Sequence, residues 1–418
     1  MTAPSAPATR KAALAFIFVT VLIDVLAFGL IIPVLPHLVQ QFAGGRIDTA
    51  SYWIAVFGFV FASIQFVSSP IQGALSDRYG RRPVILLSCL GLGLDFIFMA
   101  LAPSLAWLFV GRVVSAMTSA SFTTANAYVA DVTPPQDRAK SYGMIGAAFG
   151  VGFVVGPLLG GVLGEVDLRL PFWFAAGLAL LNFCYGLLVL PESLPPERRT
   201  PRFDWAHANP FGAMQLLGRY PQVFGLAAVV FIANLAHYVY PSVFVLYADY
   251  RYQWGQREVG YVLAAVGVLS VIVNVWLVGR AVRWLGERRA LLWSLACGAA
   301  GFAIYGHAWQ GWMFLLGLPV SALWAIAAPA TQALVTREVG PDAQGRVQGA
   351  LMSLTALAGI VGPPLFAGSF GWFVGGTAPL RLPGAPFYIA GVLLLVAVAV
   401  AWRYAPRATA PADGPARA

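Results

Sequence analysis

Twelve apolar runs of about twenty residues each, separated by short polar loops, leave this chain few ways to fold. They lie at 12–36, 51–75, 83–102, 105–130, 141–163, 171–191, 220–248, 257–279, 289–308, 311–335, 347–373 and 385–404. In hydrocarbon every backbone N–H and C=O must find its partner within the segment, so each run is read as a membrane helix. Composition agrees. The chain is 59% hydrophobic and 10% charged, with mean hydropathy +0.75, whereas soluble domains carry roughly 25% charged residues. The fold class is therefore an all-α membrane protein with twelve transmembrane helices.

The net charge of +9 reflects topology rather than nucleic-acid binding. With twelve spans both termini share one side. Twenty of the 26 Lys and Arg fall on that side, five fall opposite, and Arg112 lies within a span. The positive-inside rule places the twenty, and both termini, in the cytoplasm. The first run is too long for a signal-peptide core, carries Asp24 at its middle and lacks a clean small-residue cleavage site, so it is read as retained. Cys89, Cys184 and Cys297 stand alone in apolar context. They read as buried packing residues, with no spacing for a metal or a disulfide framework.

Asp24, Asp95 and Arg112 are the charges deep within spans. Each costs about 2.5–3.5 kcal/mol on insertion scales, so each needs a polar interior and a partner or a task. A polar pathway carrying protons fits two acids and one arginine in the first half, and a fixed ion pair is the plainer alternative.

The longest polar stretch divides the chain into a bundle at 1–191, a cytoplasmic linker at 192–219 and a bundle at 220–405. A tail at 406–418 reads as disordered. The halves repeat each other. One offset of 206 carries Gly73 onto Gly279, Gly80 onto Gly286, Pro135 onto Pro341, Gly143 onto Gly349 and Gly156-Pro157 onto Gly362-Pro363. Repeats of this size mark a duplicated architecture, and in transporters the substrate site lies between the repeats. The copies have diverged, with Arg283 in place of Asp77 and Leu318 in place of Arg112. Proton chemistry is thus assigned to the first half, and a substrate surface to both.

Residues 73–82, Gly-Ala-Leu-Ser-Asp-Arg-Tyr-Gly-Arg-Arg, resemble the signature cytoplasmic loop of the major facilitator superfamily. Gly73 and Gly80 read as sites of close approach and a tight turn. Asp77 is expected against a helix N-terminus or an arginine. Arg78, Arg81 and Arg82 complete the loop, Arg81 and Arg82 anchoring the cytoplasmic face. The resemblance implies a latch between two six-helix bundles of pseudo-two-fold symmetry. Gly152, Gly156, Pro157 and Gly160 are similar to the glycine-proline motif of the superfamily's antiporters, and favour export over import. Small residues at this spacing let helices pack closely, and Pro157 bends the helix. Gly111-Arg112 resembles the arginine motif associated with proton transfer. An arginine stays charged and lowers the pKa of a nearby carboxylate, so movement relative to Arg112 would make Asp24 or Asp95 bind and release a proton.

Span one, the 65–83 stretch, Leu94-Asp95 and 128–133 together resemble the tetracycline efflux branch of the drug:proton antiporters. The resemblance implies importance for Asp24, Asp77, Arg81, Asp95 and Arg112, and a substrate contact at Gln65. The branch usually carries a histidine in helix eight, where this chain has Ser270, and an aspartate in helix nine, where it has Gly298. Of His37, His207, His237 and His307, only His237, beside Tyr238 and Tyr240, suits the cavity, the alternative being a packed, hydrogen-bonded histidine. Asn274 is a further substrate candidate. Asp131 and Asp137 read as the cytoplasmic end of span four.

The function expected is proton-coupled antiport of a small amphipathic drug, with tetracycline the named candidate, in the bacterial inner membrane and as a monomer. Its partners are drug, protons and lipid bilayer, not nucleic acid. No cofactor is expected beyond the proton gradient, since no phosphate-binding glycine-rich loop is present. A divalent cation would accompany a tetracycline-type substrate. A proton-coupled symporter importing a nutrient through Asn234 and Asn274, and a non-transporting receptor of the same fold, are the alternatives. An enzyme is not expected, as no nucleophile–base pair or metal cluster emerges.

Overall fold

The computed structural model describes residues 7–118, 121–134, 137–200, 221–339, 341–376 and 378–406. The 201–219 part of the predicted linker and residues 407–418 of the predicted tail lie outside the described residues. The first half comprises α1 (Pro7–Ile31), α2 (Leu35–Phe42), α3 (Ile47–Tyr79), α4 (Arg81–Leu101), α5 (Leu105–Thr118), α6 (Ser121–Val132), α7 (Arg138–Val166) and α8 (Leu170–Val189). The second comprises α9 (Pro221–His237), α10 (Val239–Tyr252), α11 (Gln256–Ile272), α12 (Val278–Leu285), α13 (Glu287–His307), α14 (Gly311–Ala322), α15 (Ala327–Glu338), α16 (Pro341–Val374) and α17 (Ala385–Tyr404).

Among the described residues, 11 helical spans are long and apolar enough to cross a membrane, and α5 is a shorter apolar helix. The fourth span is α5 and α6 together, so the twelve predicted runs all correspond to helix. Several helices overrun the apolar run that predicted them. The first span continues past a turn at 32–34 into α2 and ends at Phe42, not residue 36. The turn holds Pro33, whose carbonyl accepts a hydrogen bond from His37 Nδ1 at 2.9 Å. Pro36 sits in the first turn of α2, where a missing N–H costs nothing. His37 is therefore inside the first span rather than at its end. The eighth span is broken by a π segment, Val273–Leu277, and the tenth by a 3-10 turn, Leu323–Ile326.

The described contacts group into two compact units. The first contains Met1–Pro210, Val239–Val268 and Gly359–Pro383, and the second contains Phe211–Tyr238, Leu269–Ala358 and Gly384–Ala418. This differs from a simple division at 192–219. Within the first unit, α10, most of α11 and the end of α16 pack on first-half helices because glycines let backbones meet. A side chain at Gly161 would meet Gln256 O at 2.5 Å and Gly260 Cα at 3.1 Å, and one at Gly58 would meet Pro363 Cβ at 2.5 Å.

The closest seam in the first unit joins α1 to α7. A Cβ at Gly152 would meet Val25 Cβ at 2.9 Å, one at Gly156 would meet Leu26 O at 2.8 Å, and one at Gly160 would overlap Leu30 O. Gly29 answers from α1, where a Cβ would lie 2.8 Å from Pro157 Cδ. With no hydrophobic drive between helices in lipid, such backbone approach and its dispersion contacts hold the pair. Around this seam lies a core of Phe16, Ile17, Val21, Ile85, Cys89, Tyr128 and Ile145. Thr20 Oγ1 donates to Asn182 Oδ1 at 3.2 Å, a buried bond joining α1 to α8. Arg169 donates to the carbonyls of Ala100 and Ala102, both at 3.0 Å, and so neutralises the negative C-terminal end of α4. Of the cysteines only Cys89 is buried. Cys184 is exposed and Cys297 half-buried, which corrects the expectation of three packed thiols.

In the second unit α13 packs on α17 and α14 through the same device. Gly384 and Gly306 bring two backbones together, and a Cβ at Gly317 would meet Tyr305 Cε1 at 2.6 Å. Tyr305 stacks on Phe314 at 4.1 Å.

The seam predicts a graded response. Gly160→Ala should destabilise the protein by about 1–3 kcal/mol, the usual cost of overpacking. Gly146→Ala should be silent, because nothing lies within 4 Å of its added methyl. Thermal melting of the purified full chain distinguishes them, and equal melting temperatures would mean the seam is not tight.

Candidate functional site

The 73–82 segment is less a loop than two helices and one residue. Gly73 lies inside α3, and a side chain there would meet nothing within 4 Å. The expected close approach at Gly73 is therefore absent, and the turn belongs to Gly80 alone. Its φ is +104°, a region that side chains rarely adopt. Glu192 crowds the space a Cβ would fill. The Glu192 carboxylate accepts from the backbone N–H of Arg81 at 2.8 Å and of Arg82 at 3.3 Å, capping the positive end of α4.

Arg81 is 9% exposed. Its Nη1 pairs with Asp77 at 2.6 Å, its Nε pairs with Asp131 at 3.1 Å, and Ser76 Oγ accepts from Nη1 at 2.5 Å. Asp131 also accepts from Ser193 Oγ at 3.2 Å. Arg82 donates to the Leu187 carbonyl at 2.9 Å, and Arg78 lies 5.2 Å from the Tyr79 ring. Asp77 thus sits against an arginine, one of the two positions expected. Glu192, Ser193 and Asp131 complete the socket. Sequence gave no signal for the first two, which lie over a hundred residues away, and placed Asp131 only at a helix end.

The second unit holds a charge-reversed copy. The offset of 206 carries Arg81 onto Glu287 and Asp131 onto Arg337, and Glu287 pairs with Arg337 at 2.8 Å. Gly286 repeats the positive φ of Gly80, at +74°. Arg288, at the place of Arg82, donates to the Trp402 carbonyl at 2.7 Å. The repeat therefore preserves a contact pattern while exchanging its signs.

Deeper in the first unit, Asp95 on α4 is 2% exposed. Arg112 and Ser115 approach it from α5, and among the described residues no hydrogen bond of good geometry reaches either carboxylate oxygen. The Arg112 guanidinium stands 4.2 Å over the Phe61 ring of α3, a cation–π contact worth about 2 kcal/mol when desolvated. Gln65, one turn along from Phe61, is half-buried on α3. The second unit lacks these charges. At the place of Asp95 it has Gly301, against Ser321, whose hydroxyl meets the Tyr305 hydroxyl at 2.5 Å.

Asp24 is half-buried on α1, near the Gly152 end of the α1–α7 seam and within electrostatic reach of Cys89. The structure thus brings Asp95 and Arg112 together and puts Asp24 within electrostatic reach of Cys89. His237 ends α9, exposed, with its ring 5.8 Å from Trp324. Asn274 lies in the π segment and spends its amide on the Ser270 carbonyl at 2.9 Å. Asn234 does the same on Val230 at 2.8 Å. At Gly298 a side chain would meet Leu394 Cδ1 at 2.7 Å and Trp324 Cγ at 2.9 Å, so the volume an acid would need is already filled. Among the described residues no group of acids, histidines and cysteines is placed to hold a metal ion.

A helical membrane protein with a buried acid–arginine pair, a charged inter-helix socket and an internal repeat belongs to the class of polytopic transporters. Residues 17–363 match the Major Facilitator Superfamily. The chain belongs to that family, whose members are transporters rather than enzymes. It is 37% identical over 351 residues to the class C tetracycline resistance protein of Escherichia coli, covering 84% of this chain and 88% of that one. It is 37% identical over 341 residues to the class G tetracycline resistance protein of Vibrio anguillarum, covering 82% and 86%. In fold it resembles the crystal structure of the human organic anion transporter MFSD10 (TETRAN), with TM-score 0.68, 24% identity, and coverage of 95% of this chain and all of that one.

The sign-reversed pairs make a direct test. Arg81→Glu should lower the melting temperature, because three acids then face one another. Adding Asp131→Arg, which copies the second unit's Glu287–Arg337 pair, should restore part of the loss. A double-mutant cycle should give a coupling of roughly 0.5–3 kcal/mol, and a coupling near zero would show that the two residues act independently.

Proposed function

We propose that the chain is a proton-coupled antiporter exporting a small amphipathic drug, with tetracycline the first compound to test. The observation that carries the reading is Asp95 buried beside Arg112 in apolar surroundings. The charged carboxylate is favoured while the guanidinium is near and disfavoured when it withdraws, since burial alone penalises a charge. A helix movement that changes their separation therefore binds or releases a proton. If drug and proton favour opposite members of a two-state equilibrium, the gradient drives the drug out. Kinship with tetracycline resistance proteins supports the substrate class, and the α1–α7 glycine seam is the support for export.

In this reading the two bundles, 1–191 and 220–405, rock about the 192–219 linker, and the protein acts as a monomer in the bacterial inner membrane with both termini cytoplasmic. Gly73, Asp77, Arg78, Gly80, Arg81 and Arg82 form the latch, Gln65, His237 and Asn274 contact the drug, and Asp24 serves as a second proton site. The filled volume at Gly298 favours a proton route through the first half. A divalent cation accompanies the drug if it is a chelating tetracycline.

The test uses purified protein in vesicles with an imposed pH gradient and a trapped pH dye. Tetracycline, or one of a panel of aromatic cations, should trigger proton flux. Asp95→Asn and Asp24→Asn should fold yet lose it, while Cys297→Ala should change little. Full flux in both Asn variants would overturn the proton assignment.

A further inference from the structure

Arg289 and Arg403 stand outside the ion pair of the second unit, at one end of the seam between α13 and α17. These two helices pack antiparallel. A Cβ at Gly306 would meet Gly384 O at 3.1 Å, one at Gly298 would meet Leu394 Cδ1 at 2.7 Å, and at the far end Arg288 donates to the Trp402 carbonyl at 2.7 Å. The outward residues along this seam are Ala300 and Ala303 on α13 and Val392, Leu395 and Val396 on α17, all exposed and none with a polar side chain. A water-filled path would need polar groups, so these faces meet acyl chains. Toward the Arg288 end the surface changes. Trp293 and Trp402 are 63% and 64% exposed, and Arg289 and Arg403 are also exposed. Arg289 and Trp293 share a face of α13, one turn apart. The Arg288 guanidinium, 5.0 Å from the Trp402 ring, holds the end of α17 against the same helix. The seam is therefore apolar in the hydrocarbon, aromatic at the depth where tryptophan meets lipid headgroups, and cationic beyond it.

The positive charge is not spent within the protein. Glu287 is the one acid on α12, α13 and α17, and it pairs with Arg337 at 2.8 Å. Among the described residues neither Arg289 nor Arg403 has an acidic partner. Arg280 and Arg283 of α12, both exposed, lie at the same membrane surface and raise its potential. A guanidinium presents a planar fork of donors that fits two phosphate oxygens, so these residues call for a phosphodiester. A headgroup carrying its own ammonium would set a cation against the arginines, and one whose phosphate is uncompensated would not.

The internal repeat shows that this is not a girdle common to both units. α8 and α17 are both 20 residues long, and end to end Leu187 falls on Trp402 and Leu188 on Arg403. Arg82 donates to the Leu187 carbonyl at 2.9 Å, as Arg288 does to that of Trp402. The scaffold is thus the same. The offset of 206 places Pro83 at Arg289 and Leu87 at Trp293. Pro83, Leu87, Leu187 and Leu188 are all exposed, so the first unit has the same seam end without the arginines and tryptophans.

We propose that the α13–α17 seam binds one anionic phospholipid. Its phosphodiester is held by Arg289 and Arg403, its glycerol region lies against Trp293 and Trp402, and its acyl chains lie on the apolar faces. Basic clusters between membrane helices favour such headgroups. The lipid staples α13 to α17 at the end where Arg288 already joins them. The site does not rest on the exporter reading, and it is measured without drug or gradient.

The probe is phosphatidylglycerol with a diazirine in one acyl chain, and the control is phosphatidylcholine with the same chain. Each is photolysed as a minor component of phosphatidylcholine vesicles holding the full chain, and labelled peptides are mapped by mass spectrometry. Phosphatidylglycerol should label 289–303 and 392–403 in the wild type more than the matching segments of the first unit, 83–97 and 177–188. That labelling should fall about five-fold in each of Arg289→Gln and Arg403→Gln. Arg198→Gln, which removes an exposed arginine from the first unit, should label as wild type. Phosphatidylcholine should label every protein weakly and alike, and glycerol 1-phosphate in the buffer should displace nothing. Thermal melting checks that each variant is folded, and Trp293→Leu, which copies Leu87, should also lower the labelling and decides the matter should an arginine variant fail to fold. Equal labelling of the two units, equal labelling by the two lipids, or a loss in Arg198→Gln matching that in Arg289→Gln overturns the site. Displacement by glycerol 1-phosphate would make it a site for free phosphate and overturns the lipid assignment.

Discussion

Backbone-to-backbone contact between α1 and α7 is the constraint on which the first unit depends. Lipid offers helices no hydrophobic reward for meeting, so what holds them is close approach over a long seam. Gly152, Gly156 and Gly160 supply that approach from one side and Gly29 from the other. The seam fixes α1, and α1 in turn carries Thr20 to Asn182 and Asp24 to its place near Cys89. The next residue along from the seam, Gly161, turns to Gly260 on α11, so one helix presents glycines in two directions. A helix built this way has little tolerance for side-chain volume, which is why a plain stripe of small residues carries so much of the architecture.

Charge is handled in two different ways. At the ends of α3 and α4 it is satisfied fully: Arg81 has two acids and a hydroxyl, and Glu192 caps the helix that begins with it. The second unit repeats that economy with signs exchanged at Glu287 and Arg337. Within the span, by contrast, Asp95 has no hydrogen bond of good geometry among the described residues, and stands beside an arginine that rests on an aromatic ring. A group held in that state costs free energy in every conformation where nothing relieves it.

Much of this was legible in the sequence, and the reasons it was or was not are physical. Apolar run length follows from bilayer thickness, so the spans can be counted, although their ends cannot, since helices such as α2 and α3 continue past the apolar runs that mark them. Asp95 and Arg112 stood out because charge in an apolar run is costly. Their pairing needed coordinates, as did Phe61 and Ser115, which look like ordinary span residues. The repeat was readable from glycines and prolines at one offset. Its reversed ion pair needs coordinates, because nothing in the sequence sets Glu287 against Arg337. A glycine at the edge of a motif invites a turn, yet α3 runs straight through Gly73, and within this motif Gly80 alone has a positive φ.

The packing of Trp324 and Leu394 over Gly298 bears on what this corner can become as well as on its architecture. A side chain at 298 and the indole at 324 would claim the same volume, so the two positions cannot be varied independently. An acid placed at 298 would have to be accompanied by a smaller residue at 324.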